Sequence, residues 1–508
     1  MTSGNNIRIC VPVCAKTFGE LEQLARQAAN VADLIELRLD CLHEQELAIA
    51  QLKLNQLAAD LSTPLIVTLR PSEQGGHREM SFEQRRQFWQ ETNLPANAFF
   101  DIEKDLCLAG QVPDWSQVIC SHHDFAGVPE NIEQLYGQMA ATPARILKIA
   151  ILANDTIDCL PVFRLLRRAS DEGRELIALA MGDAGLCTRV LGPSRGSFLT
   201  YATTEEGTGT APGQLTVERM KSVYRIQMIN EQTAVYGLIG SPVMHSVSPH
   251  LHNAAFEVED INAVYLPFEV KNLKSFIQQM AHPDSRELDW RLMGLSITAP
   301  HKLDVMQYLD WIEPRAQEVG AVNTVVVEGN QLLGYNTDVD GFIQPLLKAI
   351  DVDAKTRVAV IGAGGAANAA LWSLKQNGVE VVLFARDVEK ARLLAERFDL
   401  SCEPLDGAAF EGFDVVINAT PLGSFGSRVD QTGATSAQLR GVKLVYDLVY
   451  NPIETRFMRE AKSAGCQTLG GLEMLVAQAR LQFKLWTGRQ SPESVMRKAA
   501  LRGLVVSQ

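Results

Sequence analysis

A lysine and a histidine in neighbouring apolar segments could carry out chemistry on a carbonyl group. His123 ends one such segment, and Lys148 lies within the next, ILKIA. Burial in apolar surroundings favours the neutral amine, which can attack a ketone to form an imine, and a histidine can move protons near neutral pH. Arg70 and Arg189 suit a substrate carboxylate, because the guanidinium fork binds it bidentately. A single lysine in such a segment is often an ion-pair partner instead, but the clustering of these groups favours proton abstraction next to an imine.

Eight apolar, β-branched segments, each followed by a helix-length connection, must position these groups. The predicted strands are Ile7–Val13, Asp33–Asp40, Leu65–Arg70, Ala98–Glu103, Val118–His123, Arg145–Ile151, Leu176–Met181 and Phe198–Thr203. Helical spacing is present at Phe18–Asn30 and Ser81–Thr92, and Leu215–Asn230 is predicted as the last helix. This alternation predicts a (β/α)8 (TIM) barrel. The polar residues come late in the strands, at the end where such barrels carry their active sites.

The first half of the chain resembles the type I 3-dehydroquinate dehydratases. The resemblance is carried by ELRLD, TLRP, SHHDF, ILKIA and TAPGQ and covers residues 7 to about 230. It implies that Lys148 forms the Schiff base and that His123, before Asp-Phe, is the general acid/base, with His122 a structural neighbour. The family usually has Glu where this chain has Gln74, which cannot exchange a proton. The substrate pocket implied by the resemblance consists of Glu36, Arg38, Arg70, Arg189, Thr210 and Gln214.

A glycine-rich loop in the second half has the context of a dinucleotide-binding site. The β-branched run RVAVI leads into Gly362-Ala363-Gly364-Gly365-Ala366 and a helix-like stretch. Glycines there allow backbone N–H groups to approach a pyrophosphate at the helix N-terminus. The next strand ends in Ala385-Arg386-Asp387, and Arg386 suits the 2′-phosphate of NADP. The sequence therefore predicts a Rossmann lobe that binds NADP.

Residues 234–505 resemble shikimate dehydrogenases in a series of short strings. These are GSPVMHSVSPHLHN, GLSITAPHK, GAVNT, GYNTDVDGF, NATP and GLEMLVAQA. The resemblance implies that Lys302 and Asp338 form the catalytic dyad. In two places the chain departs from the family: Ser296 stands where Asn is frequent, and Asp387 replaces the Thr of the cofactor motif. The implied substrate contacts are Ser246, Ser248, Thr298, Asn323, Tyr450 and Gln478. The implied dinucleotide contacts are Gly362, Ala363, Gly364, Gly365, Ala366, Arg386, Thr420, Leu448 and Gly471.

The two resemblances together predict a bifunctional shikimate-pathway enzyme. The barrel is expected to dehydrate 3-dehydroquinate to 3-dehydroshikimate, and the second half to reduce that product to shikimate with NADPH. In the reduction Lys302 would give a proton to the developing alkoxide. Two alternatives stay open: quinate dehydrogenase as the second activity, and an inert regulator that senses quinate or shikimate. The presence of all four predicted catalytic groups favours the enzyme.

Length and composition set the remaining expectations. The chain has 508 residues, 46% hydrophobic and 21% charged, with a net charge of −13. The acidic balance argues against nucleic-acid partners, and no apolar run has the length of a membrane span, so small-molecule substrates and a cytoplasmic location are expected. Nine cysteines without a CxxC pair, with Cys10 and Cys14 on one strand face, predict reduced thiols and no metal. The predicted domains are a barrel (1–231), a substrate lobe (232–340, completed by helices at about 475–508) and the NADP lobe (341–474).

Overall fold

The structure is a computed structural model that describes residues 7–93, 97–112 and 114–506. The chain folds into two compact units. The first contains the residues up to Ala234 together with Leu266–Met280 and Ser285–Arg291, and the second contains Val235–Tyr265, Ala281–Asp284 and the residues from Leu292 onward. No helix among the described residues has the length and apolar character needed to cross a membrane.

The first unit is built on an eight-stranded sheet, in which every strand pair whose register is defined is parallel. Its order is β7-β6-β5-β4-β3-β2-β1-β8, and a bridge between Leu176 and Ser197 links the two ends. The strands are β1 Ile9–Val13, β2 Leu34–Arg38, β3 Leu65–Thr68, β4 Ala98–Glu103, β5 Val118–Asp124, β6 Ile146–Leu152, β7 Glu175–Met181 and β8 Thr200–Tyr201. The helices are α1 Phe18–Ala28, α2 Glu44–Asp60, α3 Phe82–Glu91, α4 Lys104–Leu108, α5 Ile132–Ala140, α6 Leu160–Asp171, α7 Leu186–Leu191 and α8 Val217–Ser222. The predicted (β/α)8 barrel is therefore confirmed.

Local sequence accounts for several of these elements. Helices α1 and α3 each begin with a capping box, formed by Thr17 with Glu20 and by Ser81 with Gln84. The predicted last helix, Leu215–Asn230, is wrong in length. Helix α8 ends at Ser222, and Arg225 takes a left-handed conformation with φ 48° that no α-helix continues through.

A mixed six-stranded sheet, in the order β10-β9-β11-β13-β14-β12, precedes the glycine-rich loop. Its strands are β9 Ala234–Gly240, β10 Ala263–Glu269, β11 Arg291–Ile297, β12 Trp311–Ile312, β13 Thr324–Glu328 and β14 Gln331–Tyr335. Its helices are α9 Ser248–Val258, α10 Leu273–Phe276, α11 Pro314–Val319 and α12 Asp338–Ala349. Strands β11, β13 and β14 pair antiparallel.

The last sheet is parallel, in the order β17-β16-β15-β18-β19-β20, which is the Rossmann strand order. Its strands are β15 Arg357–Ile361, β16 Glu380–Ala385, β17 Ser401–Pro404, β18 Val415–Asn418, β19 Leu444–Asp447 and β20 Gln467–Leu469. The helices are α13 Gly365–Gln376, α14 Val388–Phe398, α15 Arg456–Ser463, α16 Gly471–Thr487 and α17 Glu493–Val506. The last helix packs against α9. The domain boundaries and the completion of the substrate lobe by the C-terminal helices stay predictions.

The expectation of reduced thiols is wrong at one pair of residues. Cys14 is exposed rather than buried, and it forms a disulfide with Cys41. Cys14 directly follows β1, and Cys41 ends the 3-10 turn Leu39–Cys41 that follows β2. Because β1 and β2 are parallel neighbours, their carboxyl ends lie side by side and bring the two sulfurs together.

Candidate active sites

One cavity in the barrel collects every residue predicted for the first site. Strands β2, β5 and β6 contribute residues that face it, because alternate side chains of a strand share a face. Gln74 lines it as well, and so do residues outside the prediction, among them Phe125 and Tyr201. The predicted residues on its wall are Glu36, Arg38, Arg70, His123, Lys148, Arg189, Thr210 and Gln214.

Lys148 is buried, but its surroundings are not apolar. Its Nζ lies 2.7 Å from Asp101 and 3.5 Å from Glu36, and it sits 4.6 Å from the centroid of the Tyr201 ring. The picture of a lone lysine in an apolar strand is therefore wrong, since the ammonium is paired with two carboxylates. Asp101 was missed from the sequence, although its position two residues before Glu103 in β4 places both on one face of the strand.

Asp101 connects the lysine to Arg70. The Arg70 guanidinium lies 2.7 Å from Asp101, and its Nη1 donates to Glu103 at 2.9 Å and to Ser121 at 2.8 Å. Burial alone would raise the pKa of Asp101, but the charges of Arg70 and Lys148 hold that pKa well below its usual range. Asp101 is therefore an anion that fixes both cations in place.

Of the three arginines on the cavity wall, Arg189 is the one left available for a substrate anion. Arg38 is bound bidentately to Asp40 at 2.9 Å, and Arg70 is paired as described. Arg189 is buried, donates from Nη2 to the Pro212 carbonyl at 3.0 Å, and has no hydrogen-bond partner for Nε or Nη1 among the described residues. Burial lowers its pKa to about 10, so the guanidinium stays charged at neutral pH. A buried, charged and unpaired fork is suited to binding a carboxylate.

His123 lines the cavity in a form suited to accept a proton. Burial, together with the charges of Arg70 and Lys148, holds the pKa of His123 well below its usual range, so the imidazole is neutral. Gln74 accepts a hydrogen bond from the backbone N–H of His123 at 3.2 Å and has no such contact with the ring in the described structure. His122 alternates to the other face of β5 and is not part of the described cavity wall.

In the second unit, Lys302 and Asp338 form an ion pair with Nζ 2.5 Å from Oδ2. The other carboxylate oxygen accepts from Asn323 Nδ2 at 2.8 Å, and Asn336 accepts from the Asp338 backbone N–H at 3.0 Å. Asp338 is also the first residue of α12, where the helix dipole favours a negative charge. Hydrogen bonds and the ion pair thus fix both carboxylate oxygens and the backbone of Asp338. Asp338 in turn orients the Lys302 ammonium.

Two serines stand at the N-terminus of α9. Ser246 Oγ and Ser248 Oγ are 3.1 Å apart, and the Ser248 backbone N–H donates to Ser246 Oγ at 3.2 Å. Two hydroxyls at the positive end of a helix are suited to binding a carboxylate.

A cavity of about 570 Å³ joins these residues to the dinucleotide side. Gln482 also belongs to its wall and was missed, although it lies one helical turn beyond Gln478 on α16. Gln482 accepts from Ser296 at 2.9 Å, and Ser296 in turn accepts from the Tyr265 hydroxyl at 2.7 Å. The predicted residues on this wall are Lys302, Asp338, Ser246, Ser248, Thr298, Asn323, Tyr450, Gln478, Ala366, Thr420, Leu448 and Gly471.

The remaining predicted dinucleotide residues form the glycine-rich loop and the end of β16, outside that wall. Gly362 has φ 105°, and a Cβ there would lie 2.5 Å from Thr420, so only glycine fits. A Cβ on Gly364 would meet nothing within 4 Å, which leaves the backbone between Gly362 and the start of α13 open to a ligand. Ala363 and Gly365 complete this loop.

Arg386 is exposed at the end of β16 and has no ion pair among the described residues. Asp387 caps α14 by accepting from the Lys390 backbone N–H at 3.0 Å. A glycine cradle at a helix N-terminus with an unpaired arginine beside it fits a dinucleotide that carries a 2′-phosphate.

Fold and sites together define an α/β enzyme with two centres: a lysine–histidine centre in a barrel, and a lysine–aspartate pair beside a Rossmann lobe. Four family models match the chain. They are "Type I 3-dehydroquinase" over residues 9–231, "Shikimate dehydrogenase substrate binding domain" over 238–325, "Shikimate / quinate 5-dehydrogenase" over 347–448, and "Shikimate 5'-dehydrogenase C-terminal domain" over 471–501.

Relatives match the whole chain or its second half. The chloroplastic bifunctional 3-dehydroquinate dehydratase/shikimate dehydrogenase of Arabidopsis thaliana is 34% identical, over 96% of this chain and 83% of the relative. An NADP(+) shikimate dehydrogenase of Methanococcus aeolicus is 38% identical over 54% of this chain and 99% of its own. A crystal structure of a shikimate dehydrogenase in complex with NADP+ matches with TM-score 0.50 and 36% identity, over 54% of this chain and 97% of that one. The chain belongs to the family of bifunctional 3-dehydroquinate dehydratase/shikimate dehydrogenases.

Proposed function

We propose that the chain catalyses two consecutive reactions, the dehydration of 3-dehydroquinate to 3-dehydroshikimate and the NADPH-dependent reduction of that product to shikimate. One observation supports the proposal: each unit has a cavity whose wall holds the groups that we expect to be catalytic, Lys148 with His123 in one and Lys302 with Asp338 in the other.

In the barrel, Lys148 is the nucleophile and Arg189 the carboxylate anchor. Once it has lost a proton, the amine adds to the substrate ketone, and loss of water gives an iminium. His123, neutral because of its lowered pKa, removes the proton from the adjacent carbon while the iminium accepts the electron pair. The β-hydroxyl then leaves as water with a proton returned by His123, and hydrolysis of the imine releases the enone and the free lysine.

Asp101 fixes the position of Lys148 in the barrel cavity. Its carboxylate contacts both Lys148 and Arg70, so the nucleophile and the buried arginine are held relative to each other before the substrate binds. Arg189, on the same cavity wall, is left for the substrate. Such preorganisation lowers the cost of reaching the transition state.

In the second unit, the serine pair at α9 binds the carboxylate, and Lys302 stands where an alkoxide develops. The glycine-rich loop and Arg386 would hold NADPH, which when bound would supply a hydride for the carbonyl carbon. Lys302 donates a proton to the resulting oxygen, and Asp338, fixed by Asn323, orients the ammonium. Gln478 lines the same cavity, where we expect it to bind a ring hydroxyl, whereas the Gln482 amide is held by Ser296 and Thr324.

The partners of the chain are small molecules, and we propose a cytoplasmic location for it. The support for that location is that seven cysteines of the described chain are free thiols, as is usual in a reducing compartment. The Arabidopsis thaliana relative is chloroplastic by its name, so cell fractionation with an organelle marker is the test. Recovery of the protein with the organelle marker would contradict the cytoplasmic assignment.

Two variants separate the proposed activities. Lys148→Ala removes the nucleophile and should abolish dehydration while leaving reduction intact. Lys302→Ala should leave dehydration intact and lower the rate of reduction by about 10²–10⁴, the usual range for a general acid. Lys443→Ala, at an exposed lysine paired with Asp414, is the matched control and should change neither rate. Loss of both activities in either catalytic variant would contradict the assignment of separate centres.

A further inference from the structure

A cluster of soft metal-binding side chains lies outside both proposed active sites. Cys14, Cys41 and His77 place their two sulfurs and one ring nitrogen within 4.8 Å of one another. The three residues come from three separate segments: the ends of β1 and β2, and the loop after β3. Two thiolates and an imidazole are a donor set typical of zinc, which prefers sulfur and nitrogen ligands in tetrahedral geometry.

Backbone contacts fix these three segments independently of the cysteines. The His43 N–H donates to the Lys16 carbonyl at 2.9 Å, which ties the loop after β2 to the loop after β1. The His77 N–H donates to Asp40 Oδ2 at 3.1 Å, and Asp40 is the residue directly before Cys41. The donors therefore remain close to one another when the sulfur–sulfur bond is absent, since other bonds hold their chain segments.

We propose that reduction of the Cys14–Cys41 disulfide creates a zinc(II) site formed by both thiolates and His77. The sulfurs cannot bind the metal while they are bonded to each other, so the oxidised chain has no site. A phosphine reductant cleaves the sulfur–sulfur bond: it takes the oxygen of a water molecule and becomes the phosphine oxide, and the two protons of that water complete the two thiols. Zinc binding then releases one proton from each thiol, and a water molecule fills the fourth position.

Exposure supports an exchangeable site rather than a structural one. Cys14 and His77 are exposed and only Cys41 is buried, so reductant and metal both have access. Three protein ligands with a water in the fourth position is the arrangement of open zinc sites. The site also lies beside the barrel cavity, because Asp40 holds both the His77 backbone and the cavity residue Arg38.

The test measures zinc uptake by the full-length protein. The protein is reduced with a phosphine, freed of reductant without oxygen, and titrated with zinc chloride against a chromophoric chelator; an oxidised sample is titrated in parallel. The reduced chain should bind one zinc that the oxidised chain does not. Cys14→Ser and His77→Ala, both at exposed positions, each remove a direct ligand. Each should weaken zinc binding by more than about 10–100-fold, because losing a residue that only hydrogen-bonds to a ligand already costs that much.

Cys402→Ser, at a half-buried thiol in the Rossmann lobe, is the matched control and should bind zinc as the reduced parent does. Cobalt(II) as a second probe should give a thiolate-to-metal absorption band that is much weaker in Cys14→Ser at the same cobalt concentration. The proposal is overturned if the reduced chain binds no zinc, or if Cys14→Ser and His77→Ala bind it as tightly as the parent.

Discussion

His122 and His123 are adjacent in β5, and only His123 lies on the described wall of the barrel cavity. His123→Ala should therefore lower the dehydratase kcat by about 10²–10⁴, the usual range for general acid–base catalysis. His122→Ala should cost far less. Reductase activity of the same preparation serves as the control for folding. A larger loss in His122→Ala than in His123→Ala would mean that the assignment of the acid/base is reversed.

The lowered pKa of His123 predicts the pH profile of dehydration. A histidine acts as a base only while neutral, and lowering its pKa extends the neutral form to lower pH. The acid limb of kcat/KM should thus fall below the ordinary histidine value of about 6.5, with activity lost as the pH drops through the lowered pKa. A profile measured with 3-dehydroquinate checks this, and an acid limb at or above that ordinary value would contradict it.

The residue pattern identifies side chains that face the cavities but not how they are paired. The apolar segment ILKIA was sufficient to single out Lys148, whereas the choice of His123 over His122 needed the family resemblance, which places the histidine directly before Asp-Phe. The sequence could not predict the pairing of Lys148 with Asp101. The two residues are 47 positions apart in the chain and meet only inside the folded barrel. Arg189 has no carboxylate partner among the described residues, whereas Arg38 and Arg70 are bound to carboxylates, and the residue types alone do not distinguish the three arginines.

At the level of elements, strands were predictable where burial makes them apolar on both faces. All eight barrel strands are observed within two residues of each predicted end. The error at Leu215–Asn230 has a physical cause: apolar spacing continues past Ser222, but the backbone turns at Arg225. The Cys14–Cys41 pairing was missed because it depends on β1 and β2 being neighbours, not on cysteine spacing.

The N-terminus of α14 bears on the choice of cofactor. Asp387 caps this helix, so its negative charge lies beside Arg386 where a 2′-phosphate is expected. NADP should still give a higher kcat/KM than NAD, since charge-assisted bonds to Arg386 are strong. Asp387→Thr removes the charge and keeps a capping hydroxyl, so kcat/KM for NADP should rise further.

A comparison of Asp387→Ala with Asp387→Thr separates the effect of the negative charge from the effect of the capping hydrogen bond. Asp387→Ala also removes the carboxylate but loses the capping bond, so it should cost about 0.5–2 kcal/mol of stability that Asp387→Thr retains. Thermal unfolding of the two variants measures that difference. A preference of the parent protein for NAD would show that Asp387 binds the ribose hydroxyls instead.

For the whole molecule, each described active-site cavity is lined by residues of its own unit. The first product must therefore leave one cavity to reach the other, and we expect 3-dehydroshikimate to be released into solvent. Adding an excess of a separate enzyme that consumes 3-dehydroshikimate should suppress shikimate formation. The inactive form of the added enzyme is the control, and shikimate formation that is insensitive to the active form would contradict free release.

A coupled assay shows most directly whether one chain carries out both reactions in sequence. The protein is incubated with 3-dehydroquinate and NADPH while the absorbance of NADPH is followed and the products are separated. We expect one NADPH to be oxidised for each shikimate formed, with no reduction of 3-dehydroquinate to quinate. Accumulation of 3-dehydroshikimate without NADPH oxidation, or quinate as the main product, would contradict the proposed sequence of reactions.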